Sequence, residues 1–261
     1  MSSRCRDRCV VLLAALVTCA SATAREIVVC ADPDNLPYSN ADGRGFENRI
    51  AEIVAARLGA VLSYYWLPDR RGFLRKTLDA NLCDVVIGLP VESERALTTP
   101  AYYRSTYVFV YRKERLARLS SLDDPRLATL RIGVPLVGND AAATPPAQAL
   151  AARGLVANVV GFPMFAPKPI GARVVEAVRD GAIDVGVLWG PQAGYFARGA
   201  EPALVVTPIA TKRGATSTFD IAMGVRRGDA ALQRDLARAI AEARPAIDAV
   251  LDSYAVVRAT R

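Results

Sequence analysis

The chain has 261 residues and a formal net charge of +7, with 52% hydrophobic and 23% charged residues. That length admits one large or two modest domains, and that balance suits a globular protein with a sizeable core, which excludes a disordered or fibrous chain. There is no histidine, so the commonest general base, the Ser-His and Cys-His nucleophile pairs and the usual zinc sites are missing.

Residues 1–24 read as a secretory signal. Arg4, Arg6 and Arg8 form a basic start, Val10 to Val17 is too short for the ~20 residues of a membrane span, and Ala22-Thr23-Ala24 offers a cut before Arg25. Cutting there removes three arginines and one aspartate, leaving 237 residues with the charge lowered from +7 to +5. A lipid anchor at Cys19 is the rival reading, although Thr18 is bulkier than the small residue usual before such a cysteine. No other stretch is apolar enough to cross a membrane, so the mature chain is expected to be a secreted, soluble protein. The positive charges are scattered among acids, which argues against a nucleic-acid partner.

Glu26 to Ala31 is a continuous apolar run, as expected of a strand buried on both faces, and Asp32-Pro33-Asp34-Asn35 opens a polar turn at its carboxyl end. Phe46, Ile50, Ile53, Val54 and Leu58 recur at helical steps, with Gly59 as the stop. Strands are predicted at about 61–66 and 85–89, with a short helix around 73–78 between them. The order β-α-β-α-β makes a parallel sheet by the right-handed crossover rule. After Pro90 come Arg95, the pair Tyr102-Tyr103 and a β-branched and aromatic strand, Thr106 to Tyr111. Ligands of open α/β sheets sit beyond the carboxyl ends of strands, so Arg95 and the tyrosines read as the mouth of a site.

A linker at 112–118 and the turn Asp123-Asp124-Pro125 lead to a second unit. It has a strand from Arg131, the loop Gly138-Asn139-Asp140, a helix begun by Thr144-Pro145-Pro146 and ended by Gly154, and a strand at 158–162. A helix at 172–179 and a buried strand at 183–189 follow. The two units echo each other: Leu78 to Ile87 aligns with Val178 to Val187, and in each a helix ends at Asn or Gly before an aspartate (Asp84, Asp184) opens a strand. Any α/β protein repeats such a unit, so the echo gains weight only from the crossing strand between the copies. The chain returns through strands at 204–209 and 219–225, separated by a polar loop with Lys212 and Arg213. Asp229 caps a last helix carrying Leu232, Leu236 and Ile240, which Pro245 kinks or breaks. The expected fold class is α/β, with parallel-core sheets in two lobes joined by two hinge crossings. Residues 25–110 with 220–261 form one lobe, and 111–219 the other.

Cys30 and Cys83 remain after the signal, in a compartment that favours oxidation. If their strands run parallel and adjacent, one lies towards a strand's end and the other at a strand's beginning, beyond the ~7 Å Cα limit of a bridge. Compartment argues for a disulfide and geometry against it, so the question stays open at this point.

No G-x-S-x-G, P-loop or C-x-x-C occurs, Gly133 to Gly138 is too sparse for a phosphate cradle, and no paired carboxylates announce acid-base chemistry. No enzymatic activity, metal or cofactor is expected. What remains is a cleft of arginines and aromatics. Its candidates are Asp32, Tyr38, Trp66, Arg70, Arg71, Arg95, Tyr102, Tyr103 and Arg104 from the first lobe, with Asn139, Asp140 and Trp189 from the second. Arginine captures carboxylates bidentately, and Tyr and Trp close pockets. Arg70-Arg71 also reads as a solvated helix flank, Trp66 as core and the tyrosine pair as packing under the hinge, whereas Arg95 leans towards function.

Together these features resemble the family 3 periplasmic solute-binding proteins. The matching parts are a buried first strand ending in Asp, Gly-Phe-Glu opening the first helix, Asp-Val-Val-Ile-Gly, an Arg in the following loop, Tyr-Tyr before the crossing strand and the returning Ile-Ala-Met-Gly-Val. Within that family the pattern is most similar to the proteins associated with quinoprotein methanol dehydrogenases, the MxaJ type. Val29-Cys30-Ala31-Asp32-Pro33-Asp34-Asn35-Leu36-Pro37-Tyr38, Arg70-Arg71-Gly72-Phe73, Pro100-Ala101-Tyr102-Tyr103-Arg104 and Trp189-Gly190-Pro191 carry that similarity.

The resemblance covers essentially the whole mature chain and implies a type II two-lobed fold. It further implies an accessory or maturation factor of a pyrroloquinoline-quinone (PQQ) alcohol dehydrogenase, with that enzyme as partner and its cytochrome as a further candidate. The alternatives are a receptor delivering a polar or anionic solute to an ABC permease and, less favoured, an enzyme of the cyclohexadienyl dehydratase type. Amino-acid receptors of the family place an Asp after the second lobe's last buried strand. Here Leu188-Trp189-Gly190-Pro191 stands there, so an ammonium would lose its charge partner. Arg95 falls near the family's carboxylate-binding Arg, with a shorter spacing to Tyr102-Tyr103. The Gly-Asn-Asp at 138–140 departs from the family's Gly-Thr/Ser anion-binding pattern. The expected cleft is an apolar, aromatic groove for something bulkier than a small solute.

Overall fold

The computed structural model describes residues 25–137, 142–164, 166–210 and 218–259. The expected signal with its alternative anchor at Cys19, the loop Gly138-Asn139-Asp140, and Lys212 and Arg213 lie outside the described residues.

The first apolar runs become strands where the sequence places them. β1 (Glu26–Ala31) leads through a small hairpin, β2 (Asp34–Asn35) and β3 (Ser39–Asn40), into helix α1 (Phe46–Arg57). β4 (Val61–Trp66), α2 (Phe73–Lys76), β5 (Val85–Pro90), the short β6 (Leu97–Thr98) and β7 (Tyr103–Arg112) follow. α1 buries Phe46, Ile50 and Val54 on one stripe and stops before Gly59, whose φ of 60° only glycine adopts at little cost. Its start is fixed by Asn48, whose side-chain oxygen accepts the Gly45 and Asn40 N–H groups at 3.0 and 3.1 Å.

The second half repeats the plan with β8 (Ile132–Val137), β9 (Ala142–Ala143), α3 (Pro145–Ala151), β10 (Val159–Pro163), α4 (Ile170–Arg179) and β11 (Val185–Trp189). Helix α5 (Gly190–Ala197) comes directly after β11 and carries no side-chain cap; the apolar periodicity of the sequence does not announce it. β12 (Leu204–Pro208), β13 (Thr218–Val225), α6 (Ala230–Glu242) and α7 (Arg244–Ser253) complete the chain. Pro245 breaks the final helix in two and sits in the first turn of α7, where its missing N–H costs nothing. Asp229 occupies the cap position of α6 but makes no capping hydrogen bond; its carboxylate lies 2.8 Å from the Arg226 guanidinium instead.

The echo between the halves is also geometric. Asp84 accepts the Val28 N–H at 3.0 Å and returns its own N–H to the Val28 carbonyl at 2.8 Å. Asp184 does the same with Arg131, at 2.8 and 3.0 Å. Each aspartate follows a left-handed residue, Asn81 with φ 56° or Gly181 with φ 76°, that turns the chain out of the preceding turn or helix. An aspartate thus locks the start of one parallel strand to its neighbour in both units.

Both cores are parallel where expected: β4, β1 and β5 in one, β10, β8 and β11 in the other. They are not separate sheets. The order β10-β8-β11-β7-β13-β5-β1-β4 is continuous, because β7 pairs antiparallel with β13 through Tyr103–Thr106 and with β11 through Tyr107–Tyr111. β13 in turn pairs antiparallel with β5. The crossings are therefore paired strands in the middle of one mixed sheet.

Cys30 and Cys83 form a disulfide, with Cα atoms 5.5 Å apart. The expectation that strand geometry opposes it treated Cys83 as part of the strand. Cys83 instead lies in the turn two residues before β5, and that turn folds over β1 so that both cysteines are buried with Phe73 and Leu78. The bond closes a loop of 53 residues. Replacing both cysteines by serine is expected to lower the free energy of unfolding by about 2–4 kcal/mol, measured by urea titration, with a steeper slope because the uncrosslinked unfolded chain is more expanded.

Candidate functional site

The loops at the carboxyl ends of the parallel strands enclose two adjoining hollows. The first, of 340 Å³, lies inside the first half between Asp32, Glu47, the end of β5 at Gly88, and α2 with Arg75 and Arg95. The second, of 530 Å³, lies between the halves: residues 32–38 and 68–70 form one wall, and Met164, Lys168, Pro169 and Gln192 the other. Asp32, Asn35, Asp69 and Arg70 border both.

Asp32 is the joint between the two loops of the first wall. One carboxylate oxygen accepts the Asp34 N–H at 2.8 Å and the other the Asp69 N–H at 2.6 Å, while the Ser39 hydroxyl donates to its carbonyl. Glu47, from the first turn of α1, faces the same hollow. Its carboxyl group has no hydrogen bond or ion pair among the described residues. Burial, with the charge of Asp69 adding, pushes its pKa from 4.5 up to about 8. The carboxyl lies over Gly88, where a Cβ would come within 2.4 Å of Oε1 and where φ is +89°. A side chain at that position would collide with Glu47 and strain the backbone. Desolvation by the surrounding loop raises Asp69, which still reaches solvent, to about 6, with help from Asp32.

The aromatic candidates turn inward. Tyr102 and Tyr103 are buried, 5.1 Å apart, and Tyr103 meets Phe46 edge-on at 6.0 Å. Half-buried Tyr38 packs 5.4 Å from Phe46, and burial, then the neighbouring Tyr103, holds its hydroxyl well above the usual phenol range. Trp189, at the end of β11, meets Tyr107 at 5.2 Å and Phe219 at 5.6 Å, both edge-on, and packs against the core of the first half. The two halves thus touch through the ring of a second-half residue.

Of the sequence candidates, Asp32, Tyr38, Arg70 and Arg95 border the hollows, whereas Tyr103 and Trp189 line neither and pack at the crossing. Arg95 is spent on Asp79, 3.2 Å away, and stands mostly exposed. Tyr102 is core, Trp66 stacks on Tyr64 at 4.5 Å on the outermost strand, and Arg71 is exposed beyond the rim. Arg104 lies 3.8 Å from Asp220 beneath the crossing. Asn139 and Asp140 lie outside the described residues.

Sequence reasoning missed Glu47 and Asp69. An acid in a first helical turn reads as favourable to the helix dipole, which hid Glu47; the strand-end rule applied to β4 would have found Asp69. With these acids present, the expected apolar groove is not what forms. Packing forces consume the aromatics, and carboxylates are left facing the hollows.

Two paired parallel cores, strand-end loops facing one another and an antiparallel crossing define an α/β periplasmic-binding-protein fold of type II, and comparison with solved structures agrees. Periplasmic binding protein XoxJ from Methylobacterium extorquens AM1 is 36% identical with a TM-score of 0.76, covering 90% of this chain and 100% of that one. MxaJ from Methlophaga aminisulfidivorans MPT is 25% identical with a TM-score of 0.79, covering 89% and 100%. Protein MoxJ of Methylorubrum extorquens is 34% identical over 258 residues, which span 91% of this chain and 83% of that protein. The chain belongs to the MoxJ family. No protein-family model matches it.

Glu47 gives the site a pH signature. In the unfolded chain its carboxyl ionises near 4.5, in the folded chain near 8, so between these values the native state holds the extra proton and stability falls as pH rises. Urea unfolding of Glu47→Gln from pH 5 to pH 8 is expected to show a flatter decline than the wild type.

Proposed function

We propose that this chain is a periplasmic accessory or maturation factor of a quinoprotein methanol dehydrogenase, exported by residues 1–24 and acting by binding the enzyme, not by turning over a substrate. Its two lobes are 25–110 with 220–261, and 111–219, and the cleft face between them is the surface presented to the dehydrogenase. Family membership supports the association with methanol oxidation. The observation that carries the binding mode is Trp189: where an amino-acid receptor needs an aspartate, this indole is held between Tyr107 and Phe219 at the crossing. An ammonium finds no charge partner at that position, and the open outer side of the cleft suits a protein surface.

A second reading, a receptor for a small solute delivered to an ABC permease, is favoured by one observation. The hollows are lined by charges of both signs, Asp32 and Asp69 facing Arg70, Arg75 and Lys168 around a protonated Glu47, which suits a small polar solute. A ligand at 100 times its dissociation constant would add ~2.7 kcal/mol of stability, readable as a thermal shift.

The mature chain is expected to co-purify with the dehydrogenase apoenzyme, and a strain lacking it is expected to accumulate inactive dehydrogenase. Full dehydrogenase activity in that strain would overturn the proposal.

A further inference from the structure

The segment that walls the first hollow on its outer side has an unusual charge pattern. Between Arg70 and Leu82 there are four cations and a single acid, Asp79, and that acid is taken by Arg95. Arg71, Arg75 and Lys76 are exposed, and their side chains make no hydrogen bond or ion pair among the described residues. Several exposed arginines elsewhere find an acid within a turn, Arg49 with Glu52 at 3.1 Å, Arg179 with Asp180 at 2.8 Å and Arg244 with Asp248 at 3.0 Å, while ones unpaired among the described residues, such as Arg57 and Arg234, stand singly. The other run of exposed cations, Lys113, Arg115 and Arg118, is interrupted by Glu114 and borders neither hollow. Like charges held this close repel each other and weaken the folded state, so folding gives no reason to keep them together.

The same segment carries an exposed apolar residue. The Leu82 N–H bonds to the Thr77 carbonyl, one residue past Lys76, and its side chain is 42% exposed. The next residue, Cys83, is tied by its disulfide to β1, so the patch sits on a rigid base. It is also continuous with the cleft face, since Arg75 borders the first hollow and Arg71 adjoins Arg70, which borders both. Unpaired cations and an exposed leucine in one anchored segment are complementary to an acidic surface that also offers an apolar contact.

We propose that Arg71, Arg75 and Lys76, with Leu82, form a docking surface for an acidic segment on a protein partner. This deepens the reading of the chain as a dehydrogenase-binding accessory and rests on it. The test is binding of the mature chain to the quinoprotein methanol dehydrogenase of the same organism, by interferometry over a range of ionic strength. R71E/R75E/K76E is expected to weaken binding about tenfold or more, chiefly through slower association, and to flatten its salt dependence. Leu82→Ser is expected to shorten the lifetime of the complex. A control with the same change in charge, R57E/R115E/R234E, is expected to alter affinity by less than about twofold. Circular dichroism and melting of each variant check that the fold is kept.

Undiminished binding by the first triple variant, with the wild type bound, would overturn this inference alone. No wild-type binding at any ionic strength would overturn both it and the accessory reading. Capture by phosphatidylglycerol vesicles, lost on charge reversal while dehydrogenase binding stays unmoved, would assign the patch to a membrane and overturn the inference as well.

Discussion

The arrangement of the whole protein depends on the ladder made by β7. Its first four residues pair with β13 and the next five with β11, so one strand belongs to both halves of the sheet. Val108, Phe109, Val110 and Tyr111 are all at most 1% exposed, which is possible only because the strand is covered on both faces. Each such side chain contributes about 1.5–3 kcal/mol on burial, and a slip of one residue would turn every one of them to the wrong side. The register of β7 therefore fixes how the halves face one another, and with it the distance across the cleft.

Around that strand the charged and apolar groups have separated by depth. The aromatic rings cluster at the crossing, where Trp189, Tyr107 and Phe219 interlock. Carboxyl groups occupy the next layer, with Asp32 holding two loops together and Glu47 kept over Gly88 without a partner among the described residues. Arginines and a lysine form the outer layer. Burying Glu47 is tolerable because the proton it retains removes the charge that the hollow would otherwise have to solvate. The cleft thus combines a dry hinge, a carboxyl interior and a basic margin.

Much of the fold was legible because its signals are local. Continuous apolar runs gave β1, β4, β5 and β11, three- and four-residue steps gave α1, and Gly59 and Gly154 marked helix ends. The paired aspartates could be read as an echo, although their hydrogen bonds to the neighbouring strand could not. What stayed hidden depends on contacts between distant segments. The disulfide turned on a turn that folds back, and α5 lacks a capping side chain. Tyr102 and Trp66 are chemically suited to a pocket, yet their neighbours in space decide otherwise. Asp32, Arg70 and Arg95 were found because the strand-end rule concerns topology, which the sequence order already implied.

The last described residues add a third tie across the crossing. The Tyr254 ring lies parallel to Tyr195 of α5 at 5.8 Å, and its hydroxyl donates to the Arg44 carbonyl. The Ala255 carbonyl sits where a Cβ on Gly194 would be 1.9 Å away, so only glycine admits this approach. Ser105 donates to the Val257 carbonyl, and the Ala259 N–H bonds to Arg104. A jaw pinned at two points can pivot about the line joining them. Tied at a third point as well, it would have to part the contacts of this trailing segment before the halves could swing apart.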